Sequence, residues 1–570
     1  MDDGVVIELT MRRSFGLRDG ERTLFPLGRT KPIPAVIVDA DSLCPPSRKV
    51  LMGLQRNVFT MLDRSARSYY GDHECLGFEG EARTFRQLRD RALSVAAGLE
   101  AHGVKPGDRV AVMMGNRIEW PEVFFGLAAM GAVCVPVNVL LVGPEIEHVC
   151  DDSGARVLVM DEIASQSVAG LASAFELVVT VGGAVAPEGV TSVGYEKVLS
   201  SGSPDDRPTG SDLDDEFVLY YSSGTTGRPK AAVHTHGGVL WNAFGQVLGL
   251  HLTRDVRYAV VPSFSWAAGF HIVFLPLIWI GGYSQIKRTG STTADDIVRM
   301  LVDDRITHVM LVPSILRELL KRPDLMEELR TSSLQWIITG SEPVPRSVID
   351  PCVEALPGVA VVQGYGLSEF PAVATVLEAH EVADHDGSAG RPLPHCDVAV
   401  RGESGQVESS GRGELLIRSN ATMRGYHNRL EQTAEAFRDG WMNTGDLVDL
   451  DEDGFVTVVG RTKDLIISGG LNVYPKEVED VIHTLPGVVE VAVVGVPDER
   501  FGEAPVAIVV ADGEFDEVEV HRVCEEQLAK YKRPRQVFVR AEALPRNANA
   551  KLLKRELRPW AEARIAGTTA

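Results

Sequence analysis

Short apolar runs followed by helical patterns recur along most of this chain, and this alternation restricts its fold more than any other feature. Arg109–Met114 has the composition of a buried strand, Pro121–Ala129 that of a helix, and Ala132–Val135 that of a second strand. Further strand patterns occur near residues 156–160, 258–262, 307–312 and 335–339. Strands that alternate with helices form parallel sheets covered by helices. We therefore predict an α/β fold with a large N-terminal domain of helix-covered, mainly parallel sheets.

The pattern changes after residue 460. Helices over Pro475–Thr484 and residues 516–529, with strands over Val488–Val496 and Pro505–Val510, predict a small mobile α+β C-terminal domain. The polar segment Arg461–Asp464 suits a hinge between rigid bodies. The predicted divisions are an N-terminal extension (1–55), an N-terminal domain (56–460), a hinge (461–464) and a C-terminal domain (465–570).

Composition excludes several classes of protein. The net charge is −22, from 57 basic and 79 acidic residues, so most of the surface repels nucleic acid and anionic lipid. The most apolar run, Ile272–Ile280, is far shorter than the ~20 residues that span a bilayer, so we expect a buried core segment and no transmembrane segment. Seven scattered cysteines without a CxxC pair indicate reduced thiols in a cytoplasmic protein, with no zinc site.

A segment rich in hydroxyl groups and glycine follows the strand pattern Phe217–Tyr221. Glycine permits backbone angles that other residues resist, and the hydroxyls, the backbone N–H groups and a lysine can surround phosphate oxygens. The pattern differs from that of P-loop NTPases. A plain surface turn is the alternative for such a composition, and the specificity of the string favours a phosphate loop. The predicted phosphate-binding residues are Ser222, Ser223, Gly224, Thr225, Thr226, Gly227 and Lys230.

This string resembles the signature loop of the ANL superfamily of adenylating enzymes, which includes acyl-CoA synthetases, adenylation domains of peptide synthetases and beetle luciferases. The resemblance extends from roughly residue 57 to residue 558 and favours the AMP-forming acyl-CoA synthetase type. It implies ATP-dependent activation of a carboxylic acid to acyl-AMP, with release of pyrophosphate, and then transfer to coenzyme A. It also implies Mg²⁺ beside ATP and coenzyme A.

The segment Gln363–Glu369 resembles the family block of an aromatic residue, glycine, any residue, threonine and glutamate. The resemblance implies that Tyr365 packs on adenine, that Ser368 binds phosphate and that Glu369 holds Mg²⁺. A hard carboxylate oxygen suits this ion, which keeps most of its waters and bridges phosphates. The alternative for Glu369 is an exposed acid at the start of a helix.

Two further motifs carry the resemblance. Trp441–Asp446 resembles the block whose aspartate binds both ribose hydroxyls, a role that falls to Asp446 with Arg461 as a second contact. Pro545–Lys551 resembles the C-terminal motif whose lysine enters the active site during adenylation, although Asn and Ala replace its usual Ser and Gly. Taken alone, Lys551 would be a solvated surface charge.

The resemblance assigns further residues to the site. It implies that Ser341 belongs to the turn that lines the adenine site. Ser341 also fits a helix N-cap, and the two roles are compatible. Lys463 matches the position about which the family rotates its C-terminal domain between the two steps. Lys551, Thr226 and Glu369 are the expected catalytic residues. The remaining expected nucleotide and thiol contacts are Ser341, Glu342, Pro343, Gln363, Gly364, Tyr365, Gly366, Ser368, Asp446, Arg461, Lys463 and Asn472.

The acid is predicted from departures from the family pattern. Acetate-specific members carry a Trp at the position of Gly366, so we expect open volume there and an acid larger than propionate. The absence of an acidic residue near Phe264 argues against a free amino acid, and Ser265 stands where related members have His. The candidate pocket residues, Trp241, Phe264, Ser265, Trp266, Phe270, Gly364 and Gly366, suit an aromatic, alicyclic or medium-chain acid. Core packing is the alternative for the aromatic residues among them.

Other functions use the same first step. An adenylating amide ligase or a carrier-protein loader would need the same adenylation residues, and a luciferase-like oxygenase is a weaker alternative. A non-catalytic nucleotide-binding protein of the same fold is a third, which the retained Lys230, Glu369, Asp446 and Lys551 argue against. The sequence leaves the oligomeric state open, with a homodimer among the alternatives, and assigns no role to residues 1–55.

Overall fold

The structure is a computed structural model, and it describes residues 57–202, 211–222, 229–290, 293–340, 344, 346–385, 387–513, 515–547 and 552–568. Within these ranges the strands are β1 (Glu74–Phe78), β2 (Glu81–Thr84), β3 (Arg109–Met113), β4 (Val133–Pro136), β5 (Val157–Met160), β6 (Leu177–Thr180), β7 (Ser192–Gly194), β8 (Glu216–Ser222), β9 (Lys230–Thr235), β10 (Arg257–Val260), β11 (Tyr283–Ile286), β12 (His308–Met310), β13 (Trp336–Gly340), β14 (Ala360–Leu367), β15 (Phe370–Leu377), β16 (Arg391–Pro392), β17 (Asp397–Arg401), β18 (Val407–Glu408), β19 (Gly411–Arg418), β20 (Gly425–Tyr426), β21 (Phe437–Arg438), β22 (Trp441–Leu450), β23 (Val456–Arg461), β24 (Ile466–Ser468), β25 (Leu471–Val473), β26 (Val488–Asp498), β27 (Gly502–Ala511) and β28 (Gln536–Arg540).

The α-helices alternate with the strands in the first two thirds of the chain and become sparse after it. They are α1 (Val58–Arg67), α2 (Phe85–Ala101), α3 (Glu119–Met130), α4 (Gly143–Ser153), α5 (Ser165–Val168), α6 (Tyr195–Ser201), α7 (His236–Gly249), α8 (Ala267–His271), α9 (Phe274–Ile280), α10 (Ala294–Asp303), α11 (Pro313–Leu320), α12 (Pro323–Arg330), α13 (Arg346–Ala355), α14 (Leu430–Ala436), α15 (Pro475–His483), α16 (Glu517–Gln527) and α17 (Lys554–Thr568).

Two large sheets form the body of the protein. One has nine strands in the order β16-β15-β14-β13-β12-β10-β11-β1-β2, and the other has eight in the order β20-β9-β8-β4-β3-β5-β6-β7. The central pairs of both sheets are parallel, and antiparallel pairs lie at both edges of the nine-stranded sheet and at one edge of the eight-stranded sheet. Because crossover helices must cover both faces of such sheets, their strands are buried and apolar. The predicted helix-covered, mainly parallel sheets are confirmed.

Two smaller sheets follow in the sequence. Strands β17, β18, β19, β21, β22 and β23 form an antiparallel sheet of six strands, which the sequence did not separate from the parallel part. Beyond it, β24–β28 form a sheet of five strands covered by α15, α16 and α17. The α+β character expected after residue 460 is therefore found. The expected helices and strands there agree with α15, α16, β26 and β27 to within a few residues.

An aromatic cluster fills the core between helices and sheets near the middle of the body. Trp120, Phe124, Phe264, Phe270 and Phe274 are each fully buried, and their ring centroids lie 4.0–6.1 Å apart. The predicted core segment 272–280 contributes α9 to this cluster. In the part of the chain that the structure describes, we find no helix with the length and apolar character that a membrane crossing requires.

Candidate active site

The ends of two neighbouring parallel strands define the candidate site. Gly340 at the end of β13 pairs with Gly364 in β14, so both chains emerge at the same edge of the sheet, where ligands bind in open α/β sheets. After Gly364, β14 turns back through Ser368 and Glu369 into the antiparallel strand β15. Ser341, Glu342 and Pro343, which follow β13, lie outside the described residues.

Tyr365, Asp446 and Arg461 form one hydrogen-bonded cluster. The Tyr365 hydroxyl donates to Asp446 Oδ2 at 2.7 Å, and Arg461 Nε donates to Oδ1 of the same carboxylate at 2.6 Å. Asp446 and Arg461 face each other on β22 and β23, which brings the side chains together. Burial and the adjacent carboxylate raise the pKa of Tyr365 well above its usual range, so the phenol stays a neutral donor. The residues expected at adenine and ribose thus meet.

Lys230 and Glu369 both contact a residue that the sequence did not indicate, Tyr426. The Lys230 ammonium is 3.4 Å from the centroid of the Tyr426 ring, and the Tyr426 hydroxyl donates to Glu369 Oε1 at 2.9 Å. Burial lowers the pKa of Lys230, an effect that Glu369 partly offsets. Ser222 pairs with Lys230 at the open end of the β8–β9 hairpin, so the predicted phosphate loop begins and ends here. Residues 223–227 lie outside the described residues.

The surroundings of Glu369 fit the expected metal. Oε1 accepts the Tyr426 hydroxyl, and no hydrogen bond to Oε2 comes from the described residues. Within those same residues, no cluster of three or more His, Cys, Asp or Glu side chains could hold an ion. Mg²⁺ usually binds through one or two carboxylates, with substrate phosphates and water completing its shell. One half-buried carboxylate beside a phosphate-side lysine therefore suits magnesium bound with a nucleotide.

The remaining residues of the Tyr365–Glu369 block lie close to this arrangement. The Ser368 carbonyl accepts a hydrogen bond from His234 Nε2 at 2.7 Å, which ties the turn to β9. Gln363 and Gly364 are in β14, opposite Leu377 and Val376 of β15.

The backbone of β15 lies close to Gly366. A Cβ atom added there would lie 1.8 Å from the carbonyl oxygen of Ala372, far inside any contact distance. Gly366 itself is exposed, so the strand blocks only the direction of a side chain, and open volume at this position stays a prediction. The single sequence could not reveal the nearby strand, because its pairing is non-local.

The aromatic residues expected at the acyl pocket divide into two groups. Phe264 and Phe270 are in the fully buried aromatic core, and the Phe264 N–H donates to Asn116 Oδ1 at 2.7 Å, which agrees with the core-packing alternative. Trp241 is 39% exposed on α7, where it stacks on Phe244 and donates through Nε1 to the His395 carbonyl. Phe264 and Phe270 are therefore core residues, whereas Trp241 lies at the surface.

Ser265 and Trp266 retain polar groups that a ligand could use. The Ser265 and Ser263 hydroxyls lie 2.9 Å apart. The indole N–H of Trp266 is buried and has no hydrogen-bond partner among the described residues. Buried donors of this kind are normally paired, so a substrate polar atom would satisfy Trp266.

Lys463 of the predicted hinge and Asn472 of the predicted C-terminal domain both lie in the described part of the chain. Lys463 is in a short 3₁₀ helix, Thr462–Asp464, that directly follows β23, and its side chain is exposed. Asn472 in β25 donates through Nδ2 to Glu403 Oε1 at 3.3 Å. Lys551 lies outside the described residues.

Comparisons with known proteins agree with this geometry. Residues 62–427 match the family model described as AMP-binding enzyme, and residues 477–551 match the AMP-binding enzyme C-terminal domain. The long-chain-fatty-acid–CoA ligase FadD13 of Mycobacterium tuberculosis is 36% identical over 481 residues, which are 83% of this chain and 92% of that protein. A feruloyl-CoA synthase of Amycolatopsis is 38% identical over 482 residues, which are 84% and 94% of the two chains.

Solved structures show the same likeness. The anthranilate CoA ligase AuaEII, in complex with anthranoyl-AMP, superposes with a TM-score of 0.80 at 26% identity and covers 90% of this chain and 99% of its own. The o-succinylbenzoate CoA synthetase of Bacillus subtilis, with its acyl-adenylate, gives a TM-score of 0.76 at 28% identity, over 88% and 98%. The chain therefore belongs to the AMP-binding enzyme family, in the ANL superfamily of adenylating enzymes, and is an AMP-forming acid–thiol ligase of the acyl-CoA synthetase type.

Proposed function

We propose that this enzyme converts an aromatic, alicyclic or medium-chain carboxylic acid into its coenzyme A thioester through an acyl adenylate. The observation that carries the proposal is a pair of clusters that join residues of three sheets: Tyr365, Asp446 and Arg461 on the nucleoside side, and Lys230 with Glu369, linked by Tyr426, on the phosphate side. The relatives named above act on fatty, ferulic and anthranilic acids, according to their names, and this range supports the substrate class.

In the first step, the substrate carboxylate attacks the α-phosphorus of ATP and pyrophosphate leaves. We propose that Asp446 and Arg461 hold the ribose, that Tyr365 packs against adenine, and that Lys230 neutralises the leaving phosphates together with Thr226 of the loop. Bound at Glu369, Mg²⁺ would add positive charge to those phosphates. Phosphoryl chemistry of this kind depends on positioning and charge neutralisation, which these residues supply.

In the second step, the thiol of coenzyme A attacks the acyl adenylate and releases AMP. We propose that the chain acts as an adenylating domain (56–460), a hinge (461–464) and a mobile domain (465–570). Rotation of the mobile domain about Lys463 would remove Lys551 from the active site and bring the thiol-entry side of that domain to it. The short 3₁₀ helix after β23 supports a pivot here, because few residues connect the two parts. The hydrogen bond between Asn472 and Glu403 is one contact that such a rotation would break.

A panel of carboxylic acids tests the proposal. Each acid is incubated with ATP and Mg²⁺, and pyrophosphate, AMP and thioester are measured with and without coenzyme A. We expect acid-dependent pyrophosphate release, and thioester only when coenzyme A is present. AMP formation that requires an amine would indicate an amide ligase, and no release with any acid would indicate a nucleotide-binding protein without catalysis. Glu369→Gln is the matched inactive control.

Two further predictions concern the setting of the enzyme. All six cysteines in the described part of the chain are free and buried, which supports the proposed cytoplasmic location in a reducing compartment.

The homodimer stays a prediction, and light scattering at several protein concentrations would decide between it and a monomer.

A further inference from the structure

Tyr426 contacts two groups of opposite charge, the Lys230 ammonium and the Glu369 carboxylate. Its ring lies under the Lys230 ammonium at 3.4 Å, and its hydroxyl donates to Glu369 at 2.9 Å. Among the described residues, no ion pair joins Lys230 to Glu369. A neutral side chain therefore contacts both the cation and the anion.

Several backbone contacts fix the Tyr426 ring in this place. Strand β20 pairs with β9, opposite Ala232, and the His427 N–H donates to the Ala231 carbonyl at 2.9 Å. The Tyr426 N–H donates to Thr433 Oγ1 at 2.9 Å. Because Lys230 begins β9, the ring and the ammonium belong to one hydrogen-bonded ribbon.

Glu369 is attached to the same region of chain. Its carbonyl accepts the Met423 N–H at 2.7 Å, three residues before Tyr426. The backbones of Tyr426 and Glu369 are therefore both held by hydrogen bonds, and these keep the Tyr426 hydroxyl next to the Glu369 carboxylate. Such support from surrounding contacts is what a functional constellation needs to keep its geometry.

The chemistry of these contacts differs from that of an ion pair. An ammonium and a carboxylate in direct contact neutralise each other, and each loses attraction for outside charges. An aromatic face holds an ammonium and leaves its charge in place. A neutral hydroxyl orients a carboxylate through a charge-assisted hydrogen bond and also leaves its charge in place. Phosphate binding and metal binding need the two charges separate.

We propose that Tyr426 is a positioning residue that keeps Glu369 and Lys230 apart and charged, so that Mg²⁺ and the leaving phosphates each meet a free partner. This proposal rests on the function proposed above for Glu369 and Lys230. Tyr426 itself touches neither the reacting carboxylate nor the α-phosphorus in this scheme. Its effect passes through the two residues that it holds.

The test compares Tyr426→Phe with a matched control. The substitution keeps the ring under Lys230 and removes only the hydroxyl. Tyr195→Phe removes an equivalent bond elsewhere, because the Tyr195 hydroxyl donates to Glu122 Oε2 at 2.7 Å in the buried core of the body. ATP binding is measured by calorimetry across a series of Mg²⁺ concentrations and again in a chelator, without any acid substrate.

For Tyr426→Phe, we expect the Mg²⁺ concentration that gives half of the maximal gain in ATP affinity to rise about tenfold. A change of this size corresponds to the loss of one hydrogen bond to a charged group. Its ATP affinity in chelator should stay near that of the wild type, because the ring that holds Lys230 is retained. Tyr195→Phe should change neither quantity. A second variant, Tyr426→Leu, also removes the ring, and should additionally weaken ATP binding in chelator because Lys230 is no longer held.

Three outcomes would overturn the role of Tyr426. An unchanged Mg²⁺ dependence in Tyr426→Phe would show that the hydroxyl does not position Glu369. Equal losses with and without Mg²⁺ would show a general packing defect. A wild-type enzyme whose ATP binding ignores Mg²⁺, and which releases no pyrophosphate with any acid, would overturn the proposed function as well. The first two results leave the proposed function intact.

Discussion

The Tyr365 hydroxyl donates to Asp446 at 2.7 Å, across the junction between a large parallel sheet and the smaller antiparallel one. Asp446 is 5% exposed, and Arg461 occupies its other oxygen. A buried carboxylate needs such partners, because an unpaired charge is costly away from water. The cluster therefore presets the orientation of the carboxylate before any nucleotide arrives.

Removal of that hydroxyl should weaken nucleotide binding. In Tyr365→Phe, the carboxylate keeps Arg461 but loses one fixed donor, so we expect ATP to bind about tenfold more weakly. Calorimetry with ATP and with 2′-deoxy-ATP measures the effect. The loss should be smaller for the deoxy compound, which offers the carboxylate one hydroxyl fewer. Equal losses for both nucleotides would contradict a ribose role for Asp446.

Lys551→Ala should separate the two half-reactions. We expect carboxylate-dependent pyrophosphate exchange to fall by at least about a hundredfold, because electrostatic groups at a transition state contribute effects of this size. Thioester formation from supplied acyl-AMP should stay near the wild-type rate. Lys554→Ala, which removes an ion pair with Glu479 in the same region, is the matched control and should affect neither step. An equal loss of both half-reactions in Lys551→Ala would contradict the role assigned to Lys551 in the adenylation step.

Gly366→Ala should destabilise the fold. The new methyl group would meet the Ala372 carbonyl at 1.8 Å, so β15 must shift, and overpacking of this kind costs about 1–3 kcal/mol. The free energy of unfolding in denaturant measures the cost. Gly170→Ala serves as the control, since a Cβ atom there meets nothing within 4 Å. Equal stability of the two variants would mean that the hairpin leaves room at residue 366 after all.

Acid should destabilise the protein through buried neutral histidines. Burial lowers the pKa of His271 to about 3, whereas an unfolded chain titrates near 6.5. Between these values the unfolded state binds a proton that the folded state does not, so stability is complete above pH 6.5 and falls as the pH drops towards 3. Further histidines with a pKa lowered by burial to about 3 or 4 are His234, His236, His308 and His395.

His271→Gln isolates one of these contributions. Gln can replace the contact between His271 Nε2 and the Tyr220 hydroxyl, which are 3.0 Å apart, and it does not titrate. The slope of unfolding free energy against pH between pH 6 and 4 should decrease by about 1.4 kcal/mol per pH unit, the value for one proton. His251→Gln, at a side chain that is 78% exposed, should leave the slope as it is. A wild-type slope in His271→Gln would contradict the burial argument.

Local patterns predicted the parallel part of the fold, and motifs predicted the nucleoside cluster. Strands such as β3 and β13 are short apolar runs that any pairing would bury, so their identity follows from composition. Tyr365, Asp446 and Arg461 were grouped through resemblance to a family, since no periodicity links β14 to β22. The antiparallel sheet of β17, β18, β19, β21, β22 and β23 could not be predicted as a separate sheet, because its half-exposed strands lack continuous apolar runs.

Two features depended on contacts that a single sequence does not encode. Tyr426 meets Glu369 across 57 residues, and the only local signal is Gly425 before an aromatic residue, which often marks close backbone approach. Phe264 and Phe270 have the same composition whether they line a pocket or fill a core, so their place follows only from packing.

Arg546 and Leu552 are anchored to the C-terminal sheet. Arg546 forms an antiparallel bridge with Leu552, and the Arg546 guanidinium pairs with Glu490 of β26. In the sequence these two residues flank Lys551, the expected catalytic lysine. Because Arg546 and Leu552 are coupled to a strand, we expect both to move with the whole C-terminal sheet.

A dye on that sheet would follow the predicted rotation of the C-terminal domain during turnover. Val489 in β26 and Val185 in the body are both well exposed, and the six described cysteines are buried, so cysteines introduced at these two sites would take fluorophores selectively once Cys44 is replaced. Energy transfer between the two dyes would then convert each approach and withdrawal of the C-terminal sheet into an optical signal, one molecule at a time.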